Sequence, residues 1–570
     1  MQRIANLVKE DARPVEMLLY NNKLIIIWNK EVYSEYNPYA HHWGWGWWLS
    51  ECETIVEVYD TNGNFLSPVS SYSQDGRYIS SRMINNTIYL ITTYNPRIFA
   101  EFTVDDFDAY IPAYRINDDE YFVLPTSIVL PEKLEHIEYT VISGLDVNQN
   151  ELLVSVQASL GGSHTIYSSF NNVYVTRTVY EYPEYDGDSQ DDIWGRGWWG
   201  WGNYQTFTII EKFAINAGQV NHRASGKVEG TARNQFSFDE HNGVLRVVTE
   251  IWGDAPKQGG LSGSYQVLPI PETAGWWDER ADWARQGWWH EDEAERYEKY
   301  EGWGLQGGTL YTLDGNLNIL AQVHRIGFGE NVQSVRFMGN IGYIVTFWQT
   351  DPLFSFDLSN PRNPVMLDEL KIPGFSSYMH KWADGLLLGM GVETNDNGIR
   401  TGLKLTMFDV SDLEELIEKH VHVFAENNNN SFNDNSSFWS WSYSPIEHEH
   451  KAILISPEKN IIAFPYTQEY SFSSWSPNNY RWSWGAYYAY AIFSYDPETG
   501  FTLIGEIKDE FNYNSSDNYN YDYYYDYWAG QFQRGLYIGD YIYAAAGNKI
   551  ISVVVENNAI EVIQTLQLTK

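Results

Sequence analysis

The sequence predicts an all-β fold, on three observations. Short apolar segments with alternating polar residues recur along the whole chain of 570 residues. One local pattern returns about eight times: a strand ends on an apolar residue and an acid or Asn, and a polar turn leads into a second strand. Aromatic residues, which favour strands, make up 16% of the chain. A β pattern with so few helical segments argues against α/β folds.

The recurring turn explains its own residue type. Asp and Asn side chains accept hydrogen bonds from the backbone that follows them, and so they begin turns without any catalytic role. The turn residues are Asp60, Asp146, Asn216, Asp314, Asp357, Asp409, Asp496 and Glu556.

A further pair of strands precedes each recurring turn. Tight hairpins join these strands, as at Asn85-Asn86, Gly339-Asn340 and Gly539-Asp540. Four strands per unit, repeated along the chain, are typical of a β-propeller. We therefore predict one domain over 1–570, a single propeller of about eight four-stranded blades. We also expect residues 3–8 to form an outer strand that shares one blade with the C-terminal strands, which would close the ring and remove exposed edges.

The long inserts fall between particular strands. The strands of each blade are counted from the centre outward. Five inserts lie between the second and third strands of a blade: 34–53, 93–135, 177–205, 253–307 and 466–490. Two more, 425–446 and 508–532, lie between consecutive blades. In an up-and-down sheet these two kinds of connection leave by the same end. The strand order therefore predicts that all seven inserts lie on one face of the propeller.

Most of the 24 tryptophans lie in these inserts. Long loops are usually functional, and large exposed apolar surfaces usually mark interaction sites. The residues predicted to form a partner-binding face are Trp43, Trp45, Trp47, Trp48, Trp194, Trp198, Trp199, Trp201, Trp276, Trp277, Trp288, Trp289, Trp439, Trp441, Trp482, Trp484 and Trp528. The alternative is a lid in which the loops pack on one another. Indole rings serve both protein contacts and sugar stacking, so the sequence leaves self-assembly and glycan binding open.

Basic and amide residues lie on the predicted innermost strands, which line the central channel. They are Arg82, Gln235, Arg336, His380, His450 and Arg534. Two interpretations remain open at this point. The side chains could converge on a small anion or carboxylate, or they could bond the backbone of neighbouring blades and hold the ring together.

The formal net charge of -38 argues against nucleic-acid binding, because the protein repels phosphate. No apolar run is long enough for a membrane-spanning helix, and the single cysteine, Cys52, excludes an internal disulfide. An acidic loop offers a weak calcium site at Asp186, Asp188, Asp191 and Asp192. Hydrolase and phosphate-loop motifs are missing from the sequence, which favours a protein without catalytic activity and without a cofactor.

The second half of the chain carries a family resemblance. The motifs are Ser334-Val-Arg336-Phe-Met-Gly339, Phe408-Asp-Val-Ser411 and Arg534-Gly-Leu-Tyr-Ile-Gly-Asp540. Together they resemble secreted archaeal and bacterial proteins with a C-terminal β-propeller distantly related to WD-repeats. The resemblance implies a propeller and export, and it offers no catalytic residues. This numbering shows no export signal, so we expect that the chain starts after processing or that upstream sequence is omitted.

The resulting hypothesis is an extracellular, cell-surface module of a prokaryote. It would bind copies of itself or other surface proteins through the aromatic face. The alternative is a glycan-binding, lectin-like module or a carbohydrate-active enzyme.

Overall fold

The computed structural model describes fourteen segments of the chain, and every statement below concerns them. They are residues 7–9, 11–33, 50–63, 67–96, 110–117, 119–181, 204–251, 264–268, 307–347, 351–395, 400–425, 436–476, 479–514 and 530–568.

The described residues between 12 and 326 form twenty strands. They are β1 (Ala12–Tyr20), β2 (Lys23–Tyr33), β3 (Ser50–Asp60), β4 (Ser70–Asp75), β5 (Arg77–Ile84), β6 (Thr87–Tyr94), β7 (Ala113–Ile116), β8 (Asp119–Phe122), β9 (Ile128–Val129), β10 (Tyr139–Asp146), β11 (Leu153–Leu160), β12 (Thr165–Ser168), β13 (Asn172–Glu181), β14 (Gln205–Asn216), β15 (Gln219–Glu229), β16 (Phe238–His241), β17 (Val244–Ile251), β18 (Ser264–Val267), β19 (Gly307–Leu313) and β20 (Ile319–Ile326).

The described residues between 331 and 567 form seventeen more. They are β21 (Asn331–Met338), β22 (Ile341–Phe347), β23 (Asp351–Asp357), β24 (Val365–Ile372), β25 (Phe375–Ala383), β26 (Leu386–Thr394), β27 (Arg400–Asp409), β28 (Ile417–Ala425), β29 (Ser436–Tyr443), β30 (Leu454–Ser456), β31 (Ile461–Ser476), β32 (Asn479–Asp496), β33 (Gly500–Asn514), β34 (Phe532–Ile538), β35 (Tyr541–Ala546), β36 (Lys549–Glu556) and β37 (Ala559–Gln567). Short 3-10 turns lie at Pro125–Ser127, Gln235–Ser237, Pro445–Glu447, His450–Ala452 and Pro457–Lys459.

The strands of the described segments form eight sheets, so the all-β prediction is confirmed. The four-strand paths are β1-β2-β3-β4, β5-β6-β10-β11, β12-β13-β14-β15, β16-β17-β19-β20, β21-β22-β23-β24, β25-β26-β27-β28, β29-β31-β32-β33 and β34-β35-β36-β37, here numbered sheets 1 to 8. Strand order within each path follows the chain, as an up-and-down unit requires. In sheet 7 the short β30 also pairs with β31, so its innermost strand is interrupted by an excursion.

The predicted turn chemistry is present. In six sheets an Asp at the end of the third strand accepts a hydrogen bond from the backbone N–H two residues later, at 2.8 to 3.1 Å. These residues are Asp60, Asp146, Asp314, Asp357, Asp409 and Asp496. The hairpins between first and second strands use left-handed backbone, with φ of 54° at Asn85, 59° at Gly339 and 61° at Gly539. Local sequence therefore determines where the chain reverses.

Apolar clusters join each sheet to the next, from sheets 1 and 2 through to sheets 7 and 8. Phe408 of sheet 6 is fully buried against Tyr343 and Val345 of sheet 5, and Phe493 of sheet 7 is fully buried beside sheet 6. Because both faces of most sheets are covered in this way, the sheets stand side by side with their inner strands at the centre.

The two ends of the chain differ from the expectation of a shared closing blade. Sheets 1 and 8 each contain four consecutive strands of their own, because Ala12–Tyr20 supplies the first strand of the first unit. Leu7 instead packs on the face of sheet 1 that carries Ile26 and Trp28, and Lys9 Nζ lies 2.6 Å from Glu57 Oε1. Residues 3–6 lie outside the described residues.

Two inserts return to cover sheet edges with three additional pairings. From 93–135, the hairpin β7–β8 pairs with β4 at the outer edge of sheet 1, and β9 pairs in parallel with β11 of sheet 2. From 253–307, β18 pairs in parallel with β20 of sheet 4. An unpaired outer strand invites association with another chain, so these additions protect the edges.

Candidate functional site

Most residues of the predicted aromatic face lie outside the described residues. These are Trp43, Trp45, Trp47, Trp48, Trp194, Trp198, Trp199, Trp201, Trp276, Trp277, Trp288, Trp289 and Trp528, and the calcium candidates Asp186, Asp188, Asp191 and Asp192 lie outside them as well. Trp439 lies on β29 and Trp482 on β32. Of the residues predicted to form the aromatic face, only Trp441 and Trp484 have described side chains.

The insert 466–490 differs from the expected loop. Its residues continue β31 and β32, which stay paired as far as Ser476 opposite Asn479. Strand β33 and strand β29 extend into the other two neighbouring inserts, 508–532 and 425–446. Alternation of aromatic residues with Ser and Gln over this stretch is itself a strand pattern, and cross-strand pairing of such residues stabilises the extension. Sheet 7 is therefore longer than its neighbours.

One face of this extended sheet carries an open groove of about 410 Å³. It is lined by residues of all four strands: Ser440, Tyr466, Gln468, Tyr470, Tyr487, Glu506 and Lys508. Tyr466 and Tyr470 are paired across the sheet with the small residues Ala489 and Gly485 of β32. A Cβ at Gly485 would lie 2.5 Å from the Tyr470 hydroxyl, so the ring of Tyr470 covers that glycine directly. Glycine therefore permits the close approach that gives the groove its shape.

Hydrogen bonds fix the polar groups of the groove. The Tyr466 hydroxyl donates to Glu506 Oε1 at 2.5 Å, and the Tyr487 hydroxyl donates to Glu506 Oε2 at 3.3 Å. Lys508 Nζ lies 3.0 Å from Glu506 Oε2 and 5.0 Å from the centre of the Tyr487 ring. Gln468 donates to Ser440 Oγ at 3.1 Å. The groove thus combines aromatic rings with a positioned carboxylate, amine and amide.

The charges of this network reinforce one another. Burial and the Glu506 carboxylate raise the pKa of Tyr466. Hydrogen bonds to Tyr487 and Glu506 raise the pKa of Lys508. The tyrosines therefore remain neutral donors and the lysine remains a cation at neutral pH.

A cation of sheet 6 and an aromatic ring of sheet 7 are in contact beside the groove strands. The Arg400 guanidinium lies 4.5 Å from the centre of the Trp441 ring, and it forms an ion pair with Glu447 at 3.1 Å. Trp484 packs partly buried against the cluster between sheets 7 and 8. The two described indoles therefore have structural contacts of their own.

Five of the six predicted channel residues form a second group, contributed by several sheets. Gln235 and Phe236 lie in the 3-10 turn before β16 of sheet 4, and His450 lies in the excursion of sheet 7. Gln235 Nε2 lies 3.2 Å from His450 Nε2, and the rings of Phe236 and His450 meet edge to face at 4.9 Å. Sheets 4 and 7 are not consecutive, so these side chains bridge the space between the inner strands.

Sheets 5, 6 and 8 contribute to the same group. The Phe236 ring lies 5.6 Å from Tyr378, whose hydroxyl lies 3.1 Å from His380 Nδ1. Burial, with the nearby charge of Arg336, lowers the pKa of His380 to about 4. Burial also lowers the pKa of His450, and Lys451 and Arg534 act in the same direction while Glu449 opposes them. Contacts and charges thus relate five of the predicted residues as one group: Gln235, Arg336, His380, His450 and Arg534. These five residues, together with Phe236 and Tyr378, are called the axial cluster.

Arg82 stands apart from the axial cluster. Its side chain is exposed, and its Nη1 donates to the backbone carbonyl of Ser168 at 2.5 Å. This contact joins sheet 2 to sheet 3. It corresponds to the second interpretation of the predicted channel residues, in which they bond the backbone of neighbouring blades.

Sequence reasoning missed the groove, although part of it has a signal. Tyr466, Gln468 and Tyr470 alternate on one strand, as do Glu506 and Lys508, and period two places each set on one face. The contribution of Tyr487 depends on the pairing of β31 with β32 and has no such signal.

Repeated four-stranded sheets packed side by side define a β repeat protein built around a central axis. The chain belongs to the beta propeller domain family, whose model matches residues 1–557. The predicted resemblance to propeller proteins is confirmed.

Two archaeal relatives are similar over much of the chain. One is an uncharacterized protein of Archaeoglobus fulgidus, 30% identical over 351 residues that cover 62% of this chain and 37% of the relative. The other is uncharacterized protein MJ1554 of Methanocaldococcus jannaschii, 25% identical over 461 residues that cover 72% of this chain and 61% of the relative. The chain thus spans less than two thirds of the length of either relative.

Solved structures show weaker similarity. BamB from Moraxella catarrhalis is 8% identical, with a TM-score of 0.24, over 78% of this chain and 97% of BamB. Cobalt-substituted Synechocystis ACO is 13% identical, with a TM-score of 0.25, over 54% of this chain and 57% of ACO. Similarity at this level carries no argument about function. Within the described segments, no helix has the length and apolar character needed to cross a bilayer.

Proposed function

We propose that this protein is an extracellular, non-catalytic binding module of a prokaryotic cell surface. It acts by contacting copies of itself or other surface proteins through its Trp- and Tyr-rich connections. The observation that supports the proposal is the strand order. Each aromatic insert lies between a second and a third strand or between two sheets, and both kinds of connection leave a four-stranded antiparallel sheet by the same end.

Short links between sheets support the gathering of these ends. The fourth strand of sheet 1 ends at Asp75 and the first strand of sheet 2 begins at Arg77, and sheet 5 passes to sheet 6 from Ile372 to Phe375. Such links hold the corresponding ends of neighbouring sheets side by side. A surface that concentrates indole rings there would suit a protein partner, because Trp and Tyr dominate binding energy at protein interfaces.

The charge of the protein supports a partner other than nucleic acid or anionic lipid. With 75 acidic and 37 basic residues, the surface repels polyanions. It also disfavours association through simple charge attraction between copies, so contact between them would depend on the aromatic segments.

The test is the assembly state of the full chain. Size-exclusion chromatography with light scattering and negative-stain imaging should show oligomers or fibres. Replacement of Trp43, Trp45, Trp47 and Trp48 by Ser should shift the protein toward monomer. The matched control is Phe170→Ser, because Phe170 is 68% exposed in the turn between β12 and β13, at the opposite end of sheet 3. A monomer at every concentration would refute self-assembly, and loss of assembly only in the Phe170 variant would refute the role of the aromatic connections.

The groove on sheet 7 favours glycan binding as a second candidate function. Tyrosine rings stack on sugars, and Gln468, Glu506 and Lys508 supply hydrogen-bond partners at their edges. A glycan array probed with the full chain tests this function, with Lys508→Met as the variant and Lys381→Met, on sheet 6, as the control. Binding that is lost only in Lys508→Met supports the function. Absence of binding by the unaltered protein excludes it.

A further inference from the structure

The axial cluster contains a cationic side chain, that of Arg336, with one buried donor atom that has no acceptor among the described residues. The Nε atom of Arg336 is buried, and no hydrogen-bond partner reaches it within the part of the chain that the structure describes. Other arginines bond acids: Arg246 pairs with Asp239, and Arg400 pairs with Glu447 through its terminal nitrogens, while the Arg400 Nε is also buried without a partner among the described residues. In a protein with twice as many acids as bases, Arg336 is a half-buried arginine whose Nε atom finds no acceptor in the described segments. A buried unsatisfied donor requires an explanation, and an ion that occupies the site is one.

The other charged groups near the axis are partly matched. Lys451 Nζ lies 2.8 Å from Glu16 Oε2, a contact that links sheet 7 to sheet 1. Glu449 Oε1 lies 3.8 Å from His450 Nδ1. The charge of Arg534 acts on His450, and that of Arg336 acts on Tyr378 and His380. Two guanidinium groups therefore act on the axial cluster, and the carboxylates of Glu16 and Glu449 face Lys451 and His450.

Neutral donors surround the same place. The Tyr378 hydroxyl and the Gln235 amide lie beside the two histidines. The rings of Phe236 and Tyr378 lie 5.6 Å apart beside these donors and give the cluster an apolar side. A planar guanidinium with neighbouring hydroxyl and amide donors matches the geometry of a carboxylate or a phosphate.

We propose that the axial cluster binds one small oxyanion, a carboxylate or a phosphate, with Arg336 as its principal ligand. Gln235, Tyr378 and Arg534 complete the set of donors. The anion would satisfy the buried Arg336 nitrogen and would join sheets 4, 5, 6 and 8 at the centre of the ring. The proposal is independent of the aromatic connections, because it concerns the axis and not the ends of the sheets.

Calorimetric titration of the full chain with sodium phosphate and with sodium malonate, at constant ionic strength, tests the site. The unaltered protein should bind at least one of the two probes at a stoichiometry of one. The preference between the probes identifies the class of anion. Arg336→Met should weaken binding by at least about tenfold, as expected when a charge-assisted bidentate contact is lost. Arg82→Met is the matched control and should bind as the unaltered protein does, because Arg82 bonds a backbone carbonyl outside the cluster.

A second variant covers the case in which Arg336→Met fails to fold. Arg336→Lys keeps the charge and removes the planar fork, so it should bind with an affinity between those of the unaltered protein and a site without a cation. Near-UV circular dichroism checks that each variant is folded. Binding of neither probe by the unaltered protein would overturn the proposal, as would equal affinity in a folded Arg336 variant.

Discussion

The buried histidine of sheet 4, His324, predicts how stability depends on pH. The side chain is fully buried on β20, with its Nδ1 atom 3.2 Å from Thr309 Oγ and its ring edge to face with Tyr311. Its Nε2 atom is buried without a hydrogen-bond partner among the described residues. Burial, with the nearby charge of Arg325, lowers the pKa of His324 to about 4. The folded protein therefore resists protonation at this position.

The sign and size of the effect follow from that pKa. The unfolded chain takes up a proton near pH 6.5 and the folded chain only near pH 4, so the stability that neutral His324 contributes is complete above pH 6.5 and is lost as the pH falls. Each pKa unit corresponds to about 1.4 kcal/mol, which gives a full loss of about 3.4 kcal/mol below pH 4. At pH 5 the loss is about 2 kcal/mol.

Urea unfolding at pH 7.5 and pH 5.0 measures this loss. His324→Gln is neutral at both values, so between them the unaltered protein should lose about 2 kcal/mol more stability than the variant. Other titrating groups contribute equally to both proteins and cancel in the difference. His136→Gln, at an exposed position, is the control and should behave as the unaltered protein does. Identical pH dependence in the unaltered protein and His324→Gln would refute the reasoning.

Two further predictions concern packing and charge, and urea unfolding tests both. Gly144→Ala should lower the free energy of unfolding by about 1–3 kcal/mol, because the new Cβ would lie 1.9 Å from the Gly218 carbonyl oxygen of the next sheet. Gly315→Ala is the control and should have little effect, because the space around its Cβ is open. Lys404→Met should cost about 3–5 kcal/mol, because the 4% exposed lysine lies 2.9 and 3.1 Å from two glutamates that would lose their partner. Lys381→Met, at an exposed ion pair, should cost at most about 1 kcal/mol, and equal costs for the two lysines would contradict this account.

The groove and the axial cluster differ in how far sequence could foresee them. Their place on the predicted innermost strands brings five of the six channel residues into one group, through contacts or through the charges of Arg336 and Arg534. Their mutual contacts could not be foreseen, because Gln235 and His450 are 215 residues apart and both lie in 3-10 turns that interrupt the inner strands. Arg82 also lies on a first strand, yet its side chain bonds the backbone of the neighbouring sheet. Whether such a residue joins the axial cluster or bonds a neighbouring backbone is decided by the packing of the sheets.

Local chemistry alone determined the fold class, the turns and the strand order. Asp60 and its counterparts begin turns because their carboxylates accept from the backbone two residues later, an interaction contained within three residues of chain. Alternation determined which residues enter strands, and it would also have revealed the strand character of 466–490. Tertiary structure decided the remainder. It placed Leu7 on the outer face of sheet 1, and it assembled a groove from four strands and an axial cluster from five sheets. Such contacts depend on the packing of whole sheets, and the free energy of packing is a property of surfaces that no single segment contains.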